Sequence, residues 1–335
     1  MRVDYESQRT GHLRILKETD RPSSGRRIAS ALNHVGHEIS ERTVRLYLHK
    51  MDEAGLTENF GKRGRRISNF GRAELEVTGI IEKVGFLSAK IDQMTYRMSY
   101  DLESGNGTVV VNISLVKPEH LLICLDEIRQ VFAEGFSMGE MLSLLYAGER
   151  LGSAVIPEGY IGFATVCSIT LNGVLLQYGI PTNSRFGGLL ELHDKKAVRF
   201  VEIINYNGTS LDPLEAFIRS GMTDYRGAIS SGDGKIGASF REFPADSRED
   251  VEKLAERLKT IGLGGFMVLG WPGQTLLDIP VNEGSFGAVV IGGLNPAAIL
   301  EERGFRINSR ALAGLLDSRR LFNYRELSER LRHGS

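Results

Sequence analysis

Apolar residues recur at helical spacing near the start of the chain and give way further on to short alternating runs. Leu13, Ile15 and Leu16 among polar neighbours predict a helix over residues 6 to 18, closed near Asp20-Arg21-Pro22 because proline disfavours continuation. A second helix, capped by Ser23 or Ser24, carries Ile28, Ala31, Leu32 and Val35 and stops at Gly36. A third starts from Ser40 as N-cap with Glu41 in its first turn. Its Val44, Leu48 and Met51 form one buried stripe. Leu56 to Phe60 and Ile67 to Phe70 then flank Gly61-Lys-Arg-Gly-Arg-Arg66, a hairpin with a basic tip.

Helix, helix, helix and basic hairpin in that order read as a winged helix-turn-helix over residues 1 to 72. The third helix leaves Arg42, Thr43, Arg45 and His49 pointing outward, where a major groove receives such side chains. Lys62, Arg63, Arg65 and Arg66 on the hairpin are suited to phosphates or the minor groove. The expected partner is a double-stranded DNA operator. Charge sharpens this reading: residues 1 to 72 hold 15 Lys+Arg against 9 Asp+Glu, net +6, and the remainder holds 26 against 33, net −7. The formal total of −1 hides a basic head on an acidic body.

The acidic body repeats itself. At a shift of 125 residues, nine identities fall without a gap between residues 158 and 190, from Glu158-Gly159 against Glu283-Gly284 to Leu190 against Leu315. The clearest match is Asn183-Ser184-Arg185 against Asn308-Ser309-Arg310. Upstream, Lys117 to Phe136 resembles Ser247 to Phe266, both helical and each preceded by a strand after a Gly-rich turn. The expected fold class is therefore an α/β (α+β) body of two tandem pseudo-symmetric repeats behind the winged helix. The expected division is a linker at 73–84, repeat A at 85–195, repeat B at 196–320 and a C-terminal helix or tail at 321–335. Each repeat reads strand, helix, paired strands and a short closing helix.

Composition narrows the chemistry. With 41% hydrophobic and 25% charged residues, the chain excludes collagen, rods and wholesale disorder. No apolar run approaches the ~20 residues that span a bilayer, and MRVDYESQRT lacks a signal-peptide core, so a cytoplasmic protein without membrane contact is expected. Cys124 and Cys167 are too few and too scattered for a disulfide framework or a zinc ribbon, and no metal or resident cofactor is expected. Residues 162 to 173 read as a strand in which Thr165, Cys167, Ser168 or Thr170 faces a cavity. Cys167 is then a buried inert thiol, a ligand contact, or a metal ligand or nucleophile with His120 or His193 as its base. The repeated Asn-Ser-Arg is either a carboxylate-binding fork or a pair of helix caps at Ser184 and Ser309. Gly232-Asp-Gly-Lys-Ile-Gly237 fits GxGxxG in letter but opens a strand from a turn, and is read as a hairpin.

Four stretches resemble a known family: Ile156-Pro-Glu-Gly, Ala164-Thr-Val-Cys-Ser-Ile-Thr, Asn172-Gly-Val-Leu-Leu and Ser184-Arg-Phe-Gly-Gly-Leu-Leu-Glu191. They are similar to the NrpR nitrogen regulatory repressors, over a winged helix plus one regulatory domain. The resemblance implies a repressor of nitrogen-assimilation genes, released from a palindromic operator by the small dicarboxylate effector 2-oxoglutarate; a homodimer without enzymatic activity is expected. Cys167, Ser168, Thr170, Asn183, Ser184 and Arg185 are the candidate effector contacts. Two other readings of the acidic body are a protein-assembly module and a Cys167-dependent enzyme.

Overall fold

The computed structural model describes residues 2–19, 21–34, 39–72 and 86–333. The linker expected at 73–84 and the helix stop at Val35-Gly36 lie outside the described residues. The chain divides into two compact units, 1–85 and 86–335.

In the first unit, α1 (Arg2–Thr19), α2 (Gly25–His34) and α3 (Glu41–Glu53) precede strands β1 (Thr57–Asn59) and β2 (Arg65–Ile67). Leu13, Leu16, Ile28, Leu32, Val44, Leu48 and Met51 are buried together, so the helical stripes converge on one small core. Ser40 caps α3 by accepting the Thr43 amide, which satisfies one orphan donor of the first turn. The wing is shorter than its apolar flanks imply. Ser68 caps a helical turn at residues 69–72 by accepting the Gly71 amide, and this removes Asn69 and Phe70 from the second strand. Ser23 bridges to Arg65 through two backbone hydrogen bonds, which pins the wing to the turn before α2. That approach needs Gly64: its φ is +100°, and a Cβ there would lie 2.2 Å from the Ser23 carbonyl oxygen.

The second unit begins with α4 (Leu87–Arg97). Its first half continues through β3 (Thr108–Val116), α5 (Pro118–Ile123), α6 (Leu125–Ala133), β4 (Met141–Leu145), the small hairpin β5 (Arg150–Leu151) and β6 (Ala154–Val155), β7 (Ile161–Val166), α7 (Ile169–Gln177) and β8 (Asn183–His193). The second half runs through β9 (Lys196–Asn205), α8 (Pro213–Arg219), α9 (Tyr225–Ser230), β10 (Gly234–Pro244), α10 (Arg248–Thr260), β11 (Phe266–Leu269), β12 (Ser285–Ile291), α11 (Asn295–Glu302) and β13 (Asn308–Asp317). β14 (Phe322–Asn323) and α12 (Leu327–His333) close the chain.

Two five-stranded antiparallel sheets result, ordered β13-β3-β7-β4-β14 and β11-β12-β10-β8-β9. The repeats exchange strands: β8, late in the first half, pairs with β10, while β13, late in the second, pairs with β3. Neither half completes its sheet alone. Three sequence expectations change here. Residues 162 to 173 are not one strand, because β7 ends at Val166 and the chain turns into α7 after Ser168. Asn183 and Asn308 open strands, so Ser184 and Ser309 cap no helix. Gly232 does turn the chain into β10, but from α9, so the segment is not a β-hairpin.

Candidate functional site

The first unit presents a basic stripe. Arg42, Arg45 and His49 are exposed on α3, and Thr43 is half-buried with its hydroxyl 2.8 Å from that of Ser40. Arg45 donates to Glu41 at 2.5 Å, and His49 lies 3.4 Å from Glu53. On the wing, Lys62 and Arg63 are exposed at the turn, whereas Arg65 and Arg66 are half-buried. Arg65 donates to Asp52 at 2.7 Å, and the same carboxylate accepts from Thr57, so Arg65 staples the wing to α3. Arg66 pairs across the hairpin with Glu58. Two further exposed cations, Arg26 and Arg27, lie at the start of α2, the end a first helix turns toward a DNA backbone. Their signal in the sequence was position just after the Ser23-Ser24 cap.

The second unit holds a small cavity of about 20 Å³ with a mixed polar and apolar wall, room for about one water. It lies where the two repeats meet, and the repeat shift relates its wall residues in pairs: Cys167 with Gly292, Ser168 with Gly293, Ile169 with Leu294. The pairs are not alike. A Cβ at Gly293 would sit 2.1 Å from the Val166 carbonyl oxygen, so only the Ser168 side can offer a hydroxyl.

Behind Ser168 lies Arg241 of β10, fully buried. Its guanidinium donates to the Ser168 carbonyl at 2.9 Å, to the Ser168 hydroxyl at 2.8 Å and to the Asn172 side-chain oxygen. Its buried Nε has no hydrogen-bond partner, and among the described residues it forms no ion pair with a carboxylate. Burial lowers its pKa to about 10. Asn172 donates in turn to Ser184 at 3.0 Å, so a polar chain runs from the cavity wall to the start of the exchanged strand β8.

Asp212 and Tyr206 share the cavity wall. Asp212 caps α8, accepting the Leu214 and Glu215 amides, yet burial first and the nearby Glu215 charge second raise its pKa to about 6. A carboxyl raised in the folded state is stabilising while protonated, and that contribution is lost as pH climbs from the unfolded value through the folded one. Asp212→Asn should therefore gain about 1 to 2 kcal/mol over the unmodified protein at about pH 7.5 and far less at about pH 4.5, a discount from the full shift because the side chain keeps some solvent access. Urea unfolding followed through Trp271, the single tryptophan, reads this. An equal gain at both pH values would refute it.

Apart from Ser184, which accepts from Asn172, the candidate effector residues separate into three groups. Cys167 and Ser168 line the cavity, and burial pushes the Cys167 thiol up to about 11, which leaves it protonated at neutral pH and a poor nucleophile. His120 stacks on Phe305 and His193 pairs with Asp233, so both candidate bases are engaged elsewhere. Thr170 is buried with its hydroxyl exchanging hydrogen bonds with the Val110 backbone. Asn183 and Arg185 do grip a carboxylate, but it is Glu242 of this chain: Arg185 donates to it at 2.8 Å and Asn183 at 3.1 Å. Arg310, in the second copy of the motif, reaches Ser153 at 3.3 Å. Arg241, Asp212 and Tyr206 escaped the sequence reading. A lone arginine in Ser-Phe-Arg-Glu-Phe carries no motif, and only β10's register brings it behind Ser168.

Among the described residues no His, Cys, Asp and Glu cluster could hold a metal ion, and no helix is long and apolar enough to cross a membrane.

Comparison with known proteins supplies the rest. The model of the NrpR regulatory domains NRD1 and 2 matches residues 84–323, and the ribonuclease R winged-helix domain matches residues 12–75. The global nitrogen regulator NrpRI of Methanosarcina mazei is 35% identical over 305 residues, covering 91% of this chain and 94% of that protein. The global nitrogen regulators NrpR of Methanococcus maripaludis and Methanocaldococcus jannaschii are 31% and 32% identical, and the chain spans about half their length, 53% and 50%. The crystal structure of a nitrogen repressor-like protein from Methanococcus jannaschii aligns with a TM-score of 0.60 at 28% identity, over 72% of this chain and 99% of that one.

Proposed function

Since the chain belongs to the NrpR family of nitrogen regulators, we propose that it represses nitrogen-assimilation genes as a homodimer and is released from its operator by 2-oxoglutarate. In this reading α3 of each copy enters the major groove of one half of a palindrome, with half-sites about 34 Å apart or a multiple of that. Lys62 and Arg63 reach the flanking backbone or minor groove.

One observation carries the effector half of the proposal: Arg241 is a fully buried cation with no carboxylate partner among the described residues and an unused donor. A buried charge without a counter-ion is costly, and an anion arriving from solution supplies what the fold omits. Ser168 and Cys167 stand between Arg241 and the cavity, so a ligand carboxylate there engages the Ser168 hydroxyl and shares the guanidinium's field. The cavity is too small for a five-carbon diacid until its two walls part. Binding thus favours an opened body over the closed one, which is the differential affinity that allostery requires. A coupling of about 1 to 3 kcal/mol would change operator affinity about 5- to 150-fold.

The test is fluorescence anisotropy of the full chain on duplex DNA from upstream of its own and neighbouring genes. Salt is fixed, because a basic head binds any duplex to some degree. Release by 2-oxoglutarate, with glutamate and succinate inert, supports the reading, whereas specific binding that ignores all three acids removes the effector. In the same assay Arg42→Ala should weaken specific binding by about 1 to 3 kcal/mol and leave effector potency unchanged. Affinity equal to the unmodified protein at matched salt would take α3 out of recognition.

A further inference from the structure

We infer that Leu46 of α3 reads a thymine methyl group in the major groove, an inference that rests on the DNA-binding reading above. α3 spends its other apolar side chains on the core: Val44, Leu48 and Met51 are all fully buried. Leu46 is 59% exposed instead. Helix formation does not require leucine there, because lysine, glutamine or glutamate form helix about as well and are far more at home in water.

Its position gives the exposure a use. Arg42, Arg45, Leu46 and His49 fall at i, i+3, i+4 and i+7, so they share one stripe of the helix, the stripe that faces away from the core. Arg45 turns toward the helix start to meet Glu41 at 2.5 Å, and His49 lies 3.4 Å from Glu53 near the helix end. Both polar neighbours therefore lean away from the centre of the stripe, where the isobutyl group of Leu46 stands. In the major groove the thymine C5-methyl is the apolar group that a base pair displays, and apolar side chains recognise it by contact. A leucine between cationic side chains that hold the phosphates and hydrogen-bonding bases is placed for that contact.

Uracil differs from thymine by that methyl alone and keeps its base pairing, so it isolates the contact. The full-length protein is first used to select its sites from a random duplex pool. Each thymine of the consensus is then replaced by uracil, symmetrically in both half-sites, and binding is measured by anisotropy at fixed salt for the unmodified protein and for Leu46→Ala. One symmetric thymine pair should lower affinity about fourfold per half-site when swapped, the worth of one buried methyl, or about 15-fold for the dimer. Leu46→Ala should bind the thymine duplex more weakly by a similar factor and be indifferent to the swap. Uracil swaps that leave the unmodified protein unaffected, or that penalise both proteins equally, would overturn the inference. So would a Leu46→Ala protein whose sedimentation shows a lost copy-to-copy contact and whose weaker binding is the same on both duplexes. Failure of any consensus to emerge would instead bring down the DNA-binding reading, and this inference with it.

Discussion

Replacing Arg241 with methionine should leave the second unit folded and abolish the response to 2-oxoglutarate. Two effects on stability oppose each other. Burial that lowers the pKa of Arg241 to about 10 disfavours its charged form by roughly 3 kcal/mol, a cost the methionine variant escapes. Against that, the variant orphans the Ser168 carbonyl, the Ser168 hydroxyl and the Asn172 oxygen, at about 1 kcal/mol each for acceptors that can partly find other donors. The terms are similar in size, so the urea midpoint read at Trp271 should move little. The effector response has no such offset. Without the guanidinium the cavity loses the buried cation behind its Ser168 wall, and the ligand concentration that releases DNA should rise at least tenfold, about 1.4 kcal/mol or more. Retained potency would refute the placement of the site. Methionine is the useful substitute because its length and flexibility fill the space that alanine would leave empty.

The larger stability effect belongs to Glu242, the next residue along β10 and 2% exposed. Its carboxylate accepts from Arg185 at 2.8 Å, Asn183 at 3.1 Å, the Asn282 amide at 3.0 Å and the Asn282 side chain at 2.5 Å. It thereby joins the exchanged strand β8 to the loop ahead of β12, with Arg185 also donating to the Pro280 carbonyl. Glu242→Ala leaves four donors without their acceptor and should cost about 2 to 4 kcal/mol, about 1 kcal/mol per lost bond less what Arg185 and Asn183 recover from solvent. Glu242→Gln keeps one acceptor oxygen and should cost less, about 1 to 2 kcal/mol. Trp271 lies in the segment between β11 and β12, so its emission follows this unit specifically. A loss below about 1 kcal/mol for the alanine variant would mean that the clamp is dispensable.

Much of the first unit was legible because its signals are local. Ser40, Glu41 and the Val44, Leu48, Met51 stripe fix α3 by hydrogen bonding, dipole and helical period, each of which acts within a few residues. The hairpin's length was not, since Ser68 and Phe70 are equally compatible with a strand until the Gly71 amide finds the Ser68 hydroxyl. In the second unit the repeat was visible as letters, yet α4 has no side-chain cap at its N-terminus, and nothing in the sequence marked it.

The candidate effector site shows the same division. Cys167 and Ser168 stood out because they lie in a stretch rich in small polar side chains, and they do line the cavity. Asn183 and Arg185 were identified for their chemistry, a fork for a carboxylate, and that chemistry is present but directed at Glu242. A side chain's capacity is written in its type, whereas its partner is chosen by the fold.

By itself the sequence determined the helices and basic face of the first unit, the duplication of the second, and the family. These depend on local periodicity, on charge, and on identities between segments, all of which survive in a string of letters. Only the tertiary structure decided that β8 and β13 change places between the repeats, because antiparallel pairing joins strands by their edges and register rather than by their order in the chain. That exchange and the register of β10 are what bring Ser168, Asn172 and Ser184 around a single buried arginine.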